Sequence, residues 1–161
     1  TYLGKWVESK LGNVKVTTYN GYCPTHLRIR KEDILEAREK YPNSKILAHP
    51  ECSLEVTKNS DFVGSTAAII KYAKESDCKD FVIATEKGVV DRLKRDCPDK
   101  NFVLIKDSII CPNMKWNTLE DIYNSLLNGE NEIIVEKEVS DKALVCIDRM
   151  LEVSKNKTVL R

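Results

Sequence analysis

The sequence predicts an α/β fold of three-layer αβα units with short parallel sheets. Short, nearly all-apolar runs with strand character alternate along the chain with amphipathic stretches of about ten residues. Strands buried on both faces lose their apolar–polar alternation, and parallel strands need a crossover, which the intervening helices supply. The residues with chemistry to offer follow the strand-like runs: Cys23 and His26, His49 and Glu51, Ser65 and Thr66, Thr85 and Glu86, then Cys111. Open α/β sheets bind ligands beyond the carboxyl ends of their strands, so this placement predicts a site there.

Taken in order, Tyr2–Leu11 reads as a helix closed by Gly12. It is already under way where the chain begins, so the front of a longer polypeptide is expected before it. Residues 14–18 are β-branched and read as a strand, and Asn20-Gly21 as a turn. Lys31–Lys40 puts Ile34, Leu35 and Ala37 on one side of a helix ended by Pro42-Asn43. Lys45–Ala48 is a strand running into His49-Pro50-Glu51-Cys52, and Leu54–Lys58 is a short helix. Residues 61–63 form a brief strand closed by Gly64-Ser65-Thr66, and Thr66–Glu75 has helical spacing at Ala67, Ile70 and Ala73. A strand over 81–84, a helix over 89–95 and a strand over 101–105 complete the alternation. Beyond them, Asn117 or Thr118 caps a helix over 119–127 that Gly129 ends, and 133–135 reads as a strand. The longest helix, 139–153, carries Val139, Ala143, Cys146, Ile147, Met150 and Leu151 on one face, and 154–161 shows no periodicity.

Composition narrows the function classes. A chain of 161 residues with 42% hydrophobic and 32% charged residues is an ordinary globular mix. Its net charge of +1 argues against nucleic acid or a membrane surface as partner. No apolar run approaches the roughly 20 residues of a membrane span and no signal-peptide pattern opens the chain, so a cytoplasmic location is expected. Of the six cysteines, Cys78 and Cys97 fall in helix-to-strand connections and Cys146 on the last helix's apolar stripe, which marks all three as incidental. Cys23, Cys52 and Cys111 fall where strands are expected to end.

Both histidines stand three positions from a cysteine, with a proline between, in Cys23-Pro24-Thr25-His26 and His49-Pro50-Glu51-Cys52. Two thiolates and two imidazoles suit tetrahedral zinc, but a helix and a strand separate the pairs, unlike the short knuckles of structural zinc. A zinc-stapled binding module without catalysis is therefore one reading, and loop residues with no ligand another. Glu51 beside two imidazoles suits proton transfer near neutral pH. Gly64-Ser65-Thr66 could cradle an anion at a helix start or serve as a plain N-cap, and a small anion-binding domain would use nothing more. Cys111-Pro112 repeats the Cys-Pro of the first loop, and exposed thiolates far apart in sequence suit an iron–sulfur cluster.

Together, Gly21-Tyr22-Cys23-Pro24-Thr25-His26, His49-Pro50-Glu51-Cys52, Asp61-Phe62-Val63-Gly64-Ser65-Thr66, Ala84-Thr85-Glu86-Lys87-Gly88 and Cys111-Pro112-Asn113-Met114-Lys115 with Asn117-Thr118-Leu119 resemble the quinolinate synthase family, in its order and spacing, from Tyr2 to about Met150. The resemblance implies three similar α/β units around a pseudo-threefold axis, with the site where they meet. Residues 1–20 would end the middle unit, 21–110 would form the complete third unit, and 111–161 would return to the first. The implied reaction condenses iminoaspartate with dihydroxyacetone phosphate to quinolinate in de novo NAD biosynthesis, with L-aspartate oxidase as a source of the imine. The implied cofactor is a [4Fe–4S] cluster on three cysteines with one iron open to substrate. Cys23 and Cys111 correspond to two of those ligands, and Cys52 to none. His26 resembles a substrate-anion contact, His49 and Glu51 the pair beside the cluster with Glu51 as acid/base, and Ser65 and Thr66 the hydroxyls that hold a substrate carboxylate or phosphate. The family's chain is nearly twice as long, and its front half brings the third cysteine and further substrate contacts. The isolated chain is thus expected to be inactive and to hold no intact cubane.

Overall fold

The computed structural model describes residues 1–155. Most of the aperiodic tail, from residue 156 on, lies outside the described residues. The chain divides into two compact units, Thr1–Lys115 and Trp116–Arg161.

The first unit carries the predicted alternation. Its helices are α1 (Tyr2–Leu11), α2 (Pro24–Leu27), α3 (Lys31–Lys40), α4 (Leu54–Lys58), α5 (Thr66–Glu75) and α6 (Lys87–Asp96). Its strands are β1 (Lys45–Ala48), β2 (Phe62–Val63), β3 (Asp80–Ala84) and β4 (Asn101–Leu104), all parallel in the order β2-β1-β3-β4. Ala48 pairs with Val63 on one side and Ala84 on the other. From β1 the chain runs first to one side of the sheet and afterwards builds on the other. The carboxyl ends of β1 and β3 therefore flank the topological switch point, where neighbouring crossovers diverge and leave a crevice.

Alternate strand residues supply two cores, one on each face. Ile46, Ala48, Val82 and Ala84 pack with Ile34 and Ala37 of α3, Val56 of α4 and Ile109. Leu47, Phe81, Ile83 and Phe102 pack with Ile69 and Ala73 of α5 and Val90 and Leu93 of α6. This is the three-layer α/β arrangement expected from the unbroken apolar strands. Each fully buried aliphatic side chain contributes about 1.5–3 kcal/mol relative to exposure. Cys97, expected in a polar connection, caps α6 and is buried in the second core.

Two expected strands do not form. Residues 14–18 are irregular: the Val16 amide bonds to the Glu8 carboxylate rather than to a neighbouring strand, and the Thr18 methyl presses against Gly4. β-Branched residues favour extended backbone, but a strand also needs a partner ladder, and among the described residues no strand pairs with this segment. Residues 133–135 fail for the same reason, with Ile133 and Ile134 exposed. The second unit is helical among its described residues, with α7 (Leu119–Asn128) and α8 (Lys137–Lys155). Thr118 caps α7 in a capping box with Asp121, and Gly129, at φ 65°, ends it in the left-handed region that glycine enters without Cβ strain.

Candidate active site

The site forms at the switch point, beginning with the turn after β1. The His49 amide extends the ladder one step by donating to Ala84 O at 3.3 Å, and the Cys52 amide donates back to His49 O at 3.0 Å. Pro50 suits the second position of that four-residue turn because its φ is preset. The turn leaves the Glu51 side chain about one-third exposed and folds Cys52 under the sheet, where its sulfur faces Ala84 O at 3.6 Å. Burial pushes the Cys52 thiol up to about 12.

A second short element meets this turn. Cys23 sits at the N-cap of α2 with Pro24 next, a position where proline's missing N–H costs nothing. One turn of helix then carries Thr25 and His26 inward, 4% and 8% exposed. The His26 ring stacks on His49 at 4.4 Å between centroids, and its Nε2 lies 2.8 Å from Thr85 Oγ1 at the end of β3. Glu51 Oε2 faces both rings, 3.5 Å from His26 Nδ1 and 3.7 Å from His49 Nδ1. The His49 Nδ1 also receives the Glu51 amide at 3.3 Å, whereas His26 Nδ1 is buried without a hydrogen-bond partner.

Both imidazoles are held neutral at physiological pH. Burial lowers His26 to about 4, helped by the neighbouring His49 and opposed by Glu86. Burial also lowers His49, with Glu51 opposing. Two stacked rings that both charged would repel in a dry setting, so the pair offers neutral donors and lone pairs instead.

Cys111 is tied to the same scaffold from a third direction. Glu86, 4% exposed, follows Thr85 and caps α6 by accepting the Gly88 amide at 2.6 Å. Its other oxygen accepts the Cys111 amide at 3.3 Å and lies 3.4 Å from Lys115 Nζ. Arg28 donates to Ile110 O at 2.7 Å, anchoring the Cys111 segment to the end of α2. Hydrogen bonds from the Met114 backbone, the Thr25 hydroxyl and the Asn113 backbone lower the Cys111 thiol from its usual value. That direction favours the thiolate, the form that binds metals. Cys23 is likewise free and half-buried. The donor chemistry of both cysteines thus fits an iron–sulfur cluster.

The sequence-derived residues are not all equally close. Cys23, His26 and Glu51 converge, with ligand atoms all within 4.8 Å of one another, and His49 stacks beside them. The four-residue zinc set is not assembled, because the turn sends Cys52 into the core. Ser65 and Thr66 stand at the carboxyl end of β2, on the same edge of the sheet, both exposed. Ser65 caps α5 by accepting the Ala68 amide at 3.3 Å. Thr25 and Lys115 appeared in the sequence only within motifs, and Thr85 and Glu86 were noted at a strand end but given no role in the site. For Thr85 and Glu86 the signal was present, as polar residues ending an apolar strand beside the expected site.

The family model described as "NadA: Quinolinate synthetase A protein" matches residues 1–152. The quinolinate synthase of Clostridium kluyveri is 42% identical over 151 residues, 94% of this chain and 50% of that protein. That of Clostridioides difficile is 46% identical over 142 residues, 88% of this chain and 47% of its own. That of Caldicellulosiruptor saccharolyticus is 43% identical over 152 residues, covering 94% and 50%. The chain spans about half the length of the curated relatives it matches. A match over nearly its whole length, with five motifs drawn to the ends of one parallel sheet, makes the chain a member of the quinolinate synthase family.

Proposed function

We propose that this chain is the C-terminal portion of a quinolinate synthase, acting in NAD biosynthesis by condensing iminoaspartate with dihydroxyacetone phosphate. Quinolinate, phosphate and two waters are the products. The observation that carries this reading is the convergence of Cys23, His26, His49 and Glu51 at the switch point, tied to Thr85 and to the Cys111 segment. Residues 1–20 end one α/β unit, 21–110 form the next, and 111–161 belong against a third that the other half of the enzyme provides. The exposed apolar side chains of α7 and α8, Leu119, Leu126 and Val145 among them, support that assignment of the last segment.

Cys23 and Cys111 would hold a [4Fe–4S] cluster whose third cysteine lies outside this chain. When bound, the cluster supplies a Lewis-acidic iron that assists dehydration. The protein side chains orient substrate and move protons. His26 and His49, neutral and stacked, face a substrate anion and exclude water from one side of it, with His49 donating through the Nε2 that its Glu51 contact leaves free. Glu51, partly exposed and within 3.7 Å of both imidazoles, exchanges protons with the substrate as acid/base. Ser65 and Thr66 add hydroxyl donors at a helix start, where backbone amides favour a carboxylate or phosphate. The imine is supplied by an L-aspartate oxidase, and the enzyme works in the cytoplasm.

The test is anaerobic reconstitution, with iron and sulfide, of the full-length enzyme containing this chain, followed by a quinolinate assay. Cys23→Ala and Cys111→Ala should each abolish the broad visible absorption and the activity, while Cys52→Ala keeps the absorption. Glu51→Gln should keep the absorption and lose turnover by about 10²-fold or more. Loss of the cluster in all three cysteine variants, or in none, would overturn the assignment.

A further inference from the structure

We infer that Thr85 is a positioning residue for the proposed reaction: its hydroxyl donates to His26 Nε2 and so turns the His26 Nδ1–H toward the Glu51 carboxylate. Thr85, His26 and Glu51 then form a chain that orients the acid/base from beneath the site. Cys23 and Cys111 keep the ligand role proposed above. The role of Thr85 rests on Glu51 being the acid/base of the proposed function.

The direction of the buried bond follows from the protons available. Thr85 is 1% exposed, and its contact with His26 Nε2 at 2.8 Å is the one hydrogen bond its side chain makes among the described residues. A hydroxyl has one proton to place, and a buried donor without an acceptor is costly. The ring nitrogen is the acceptor at hand, so the hydroxyl donates and Nε2 accepts. Burial keeps the ring neutral by lowering it to about 4, so its single proton sits on Nδ1.

That Nδ1 faces Glu51 Oε2 at 3.5 Å and is buried without a hydrogen-bond partner. It is a donor standing short of its acceptor. The Glu51 side chain is 37% exposed and free to swing inward to the usual ~2.9–3.0 Å. Catalytic hydrogen bonds that are long in a free enzyme tighten when substrate binds. His49 does not compete for this place. Its Nδ1 accepts the Glu51 amide at 3.3 Å, so it turns a lone pair, not a proton, toward the same carboxylate oxygen at 3.7 Å. The proton of His49 is therefore on Nε2, and the two stacked rings are opposite tautomers. An N–H donated to Glu51 favours its carboxylate form, the form that accepts a proton from substrate.

The chain has only two histidines, so nitrogen-15 NMR of the histidine-labelled, metal-free protein near neutral pH reads both tautomers directly. His26 should carry its proton on Nδ1 and His49 on Nε2, with the signals assigned by His49→Gln. In Thr85→Val the His26 Nε2 resonance should move downfield as its hydrogen bond is lost, and Thr85→Ser should return it. In the full-length enzyme containing this chain, loaded anaerobically with iron and sulfide, Thr85→Val should lower kcat by about 10-fold or more with a smaller change in KM, and Thr85→Ser should restore it. An Nε2–H tautomer at His26 in the parent chain overturns the role of Thr85 and leaves the acid/base reading of Glu51 intact; this measurement decides even where Thr85→Val fails to fold. An unmoved Nε2 resonance or an unaltered kcat in folded Thr85→Val overturns it as well. Full turnover in Glu51→Gln would sink the acid/base reading, and the role of Thr85 with it, whatever the tautomers.

Discussion

His26 and Thr85, 59 residues apart, are joined at 2.8 Å between Nε2 and Oγ1, and this bond ties the loop after residue 20 to the end of the central strand β3. Both partners are buried, at 8% and 1% exposure. Replacing Thr85 by valine keeps the shape and leaves the imidazole nitrogen unpaired. The expected cost is about 1–3 kcal/mol, read as a lower midpoint of denaturant unfolding. A midpoint equal to that of the parent chain would show that the bond contributes nothing.

Acid should weaken the metal-free fold through the same ring. His26 is lowered from 6.5 to about 4 in the folded chain. Between those values the unfolded chain binds a proton that the folded chain refuses, so stability rises with pH across the window and is lost as pH falls from about 6.5 towards 4. His49, also lowered by burial, acts in the same direction. Unfolding midpoints measured across this window should decline on acidification, and His26→Gln should flatten the decline. An identical slope in that variant would rule out His26 as its source.

Thiol labelling should separate two cysteines that both fall where strands were expected to end. Cys52 is fully buried and its thiol is raised to about 12, whereas the half-buried Cys111 has donors around its sulfur that lower its thiol. In the native, metal-free chain, iodoacetamide should modify Cys111 and spare Cys52, as read by mass spectrometry of the digest. Comparable labelling of both would contradict the inward turn of Cys52.

Glu86 is expected to hold the Cys111 segment in place. Its two oxygens accept the amides of Gly88 and Cys111. Glu86→Ala leaves both donors without that acceptor, at a cost of about 1–3 kcal/mol. Hydrogen exchange should quicken at the Cys111 amide more than at the amides of β3; uniform quickening would mean general destabilisation instead.

Gly64 should tolerate no side chain. A Cβ there would meet the Ala68 Cβ and the Phe62 ring, each at 2.9 Å, while the Gly64 amide is tied to Ala48 O at 3.1 Å. Gly64→Ala should destabilise by about 1–3 kcal/mol through overpacking. Thermal unfolding provides the measurement, and an unaltered transition would show that β2, at the sheet edge, simply moves aside.

The sequence by itself determined the αβα layering, because apolar runs without alternation can be buried only between two layers of helices, and those runs are legible residue by residue. It also determined that chemistry gathers at strand ends, and five motifs in register carried the family. The two failed strands, over 14–18 and 133–135, show the limit. Their local propensity is extended, but pairing is a property of a neighbour that the local sequence does not name.

The family resemblance already set Cys23 apart from Cys52; tertiary structure alone decided which side chains touch at the site. The apparent symmetry of Cys23-x-x-His26 and His49-x-x-Cys52 breaks because one segment is a helical turn and the other a β-turn. The first leaves its cysteine at the rim and carries its histidine inward, while the second buries its cysteine beneath the sheet. Thr85 and Glu86 gained their roles in the same way, by lying at the end of β3 between loops that precede and follow it by tens of residues. Hydrogen bonds across such separations depend on the strand order β2-β1-β3-β4, which no local pattern encodes.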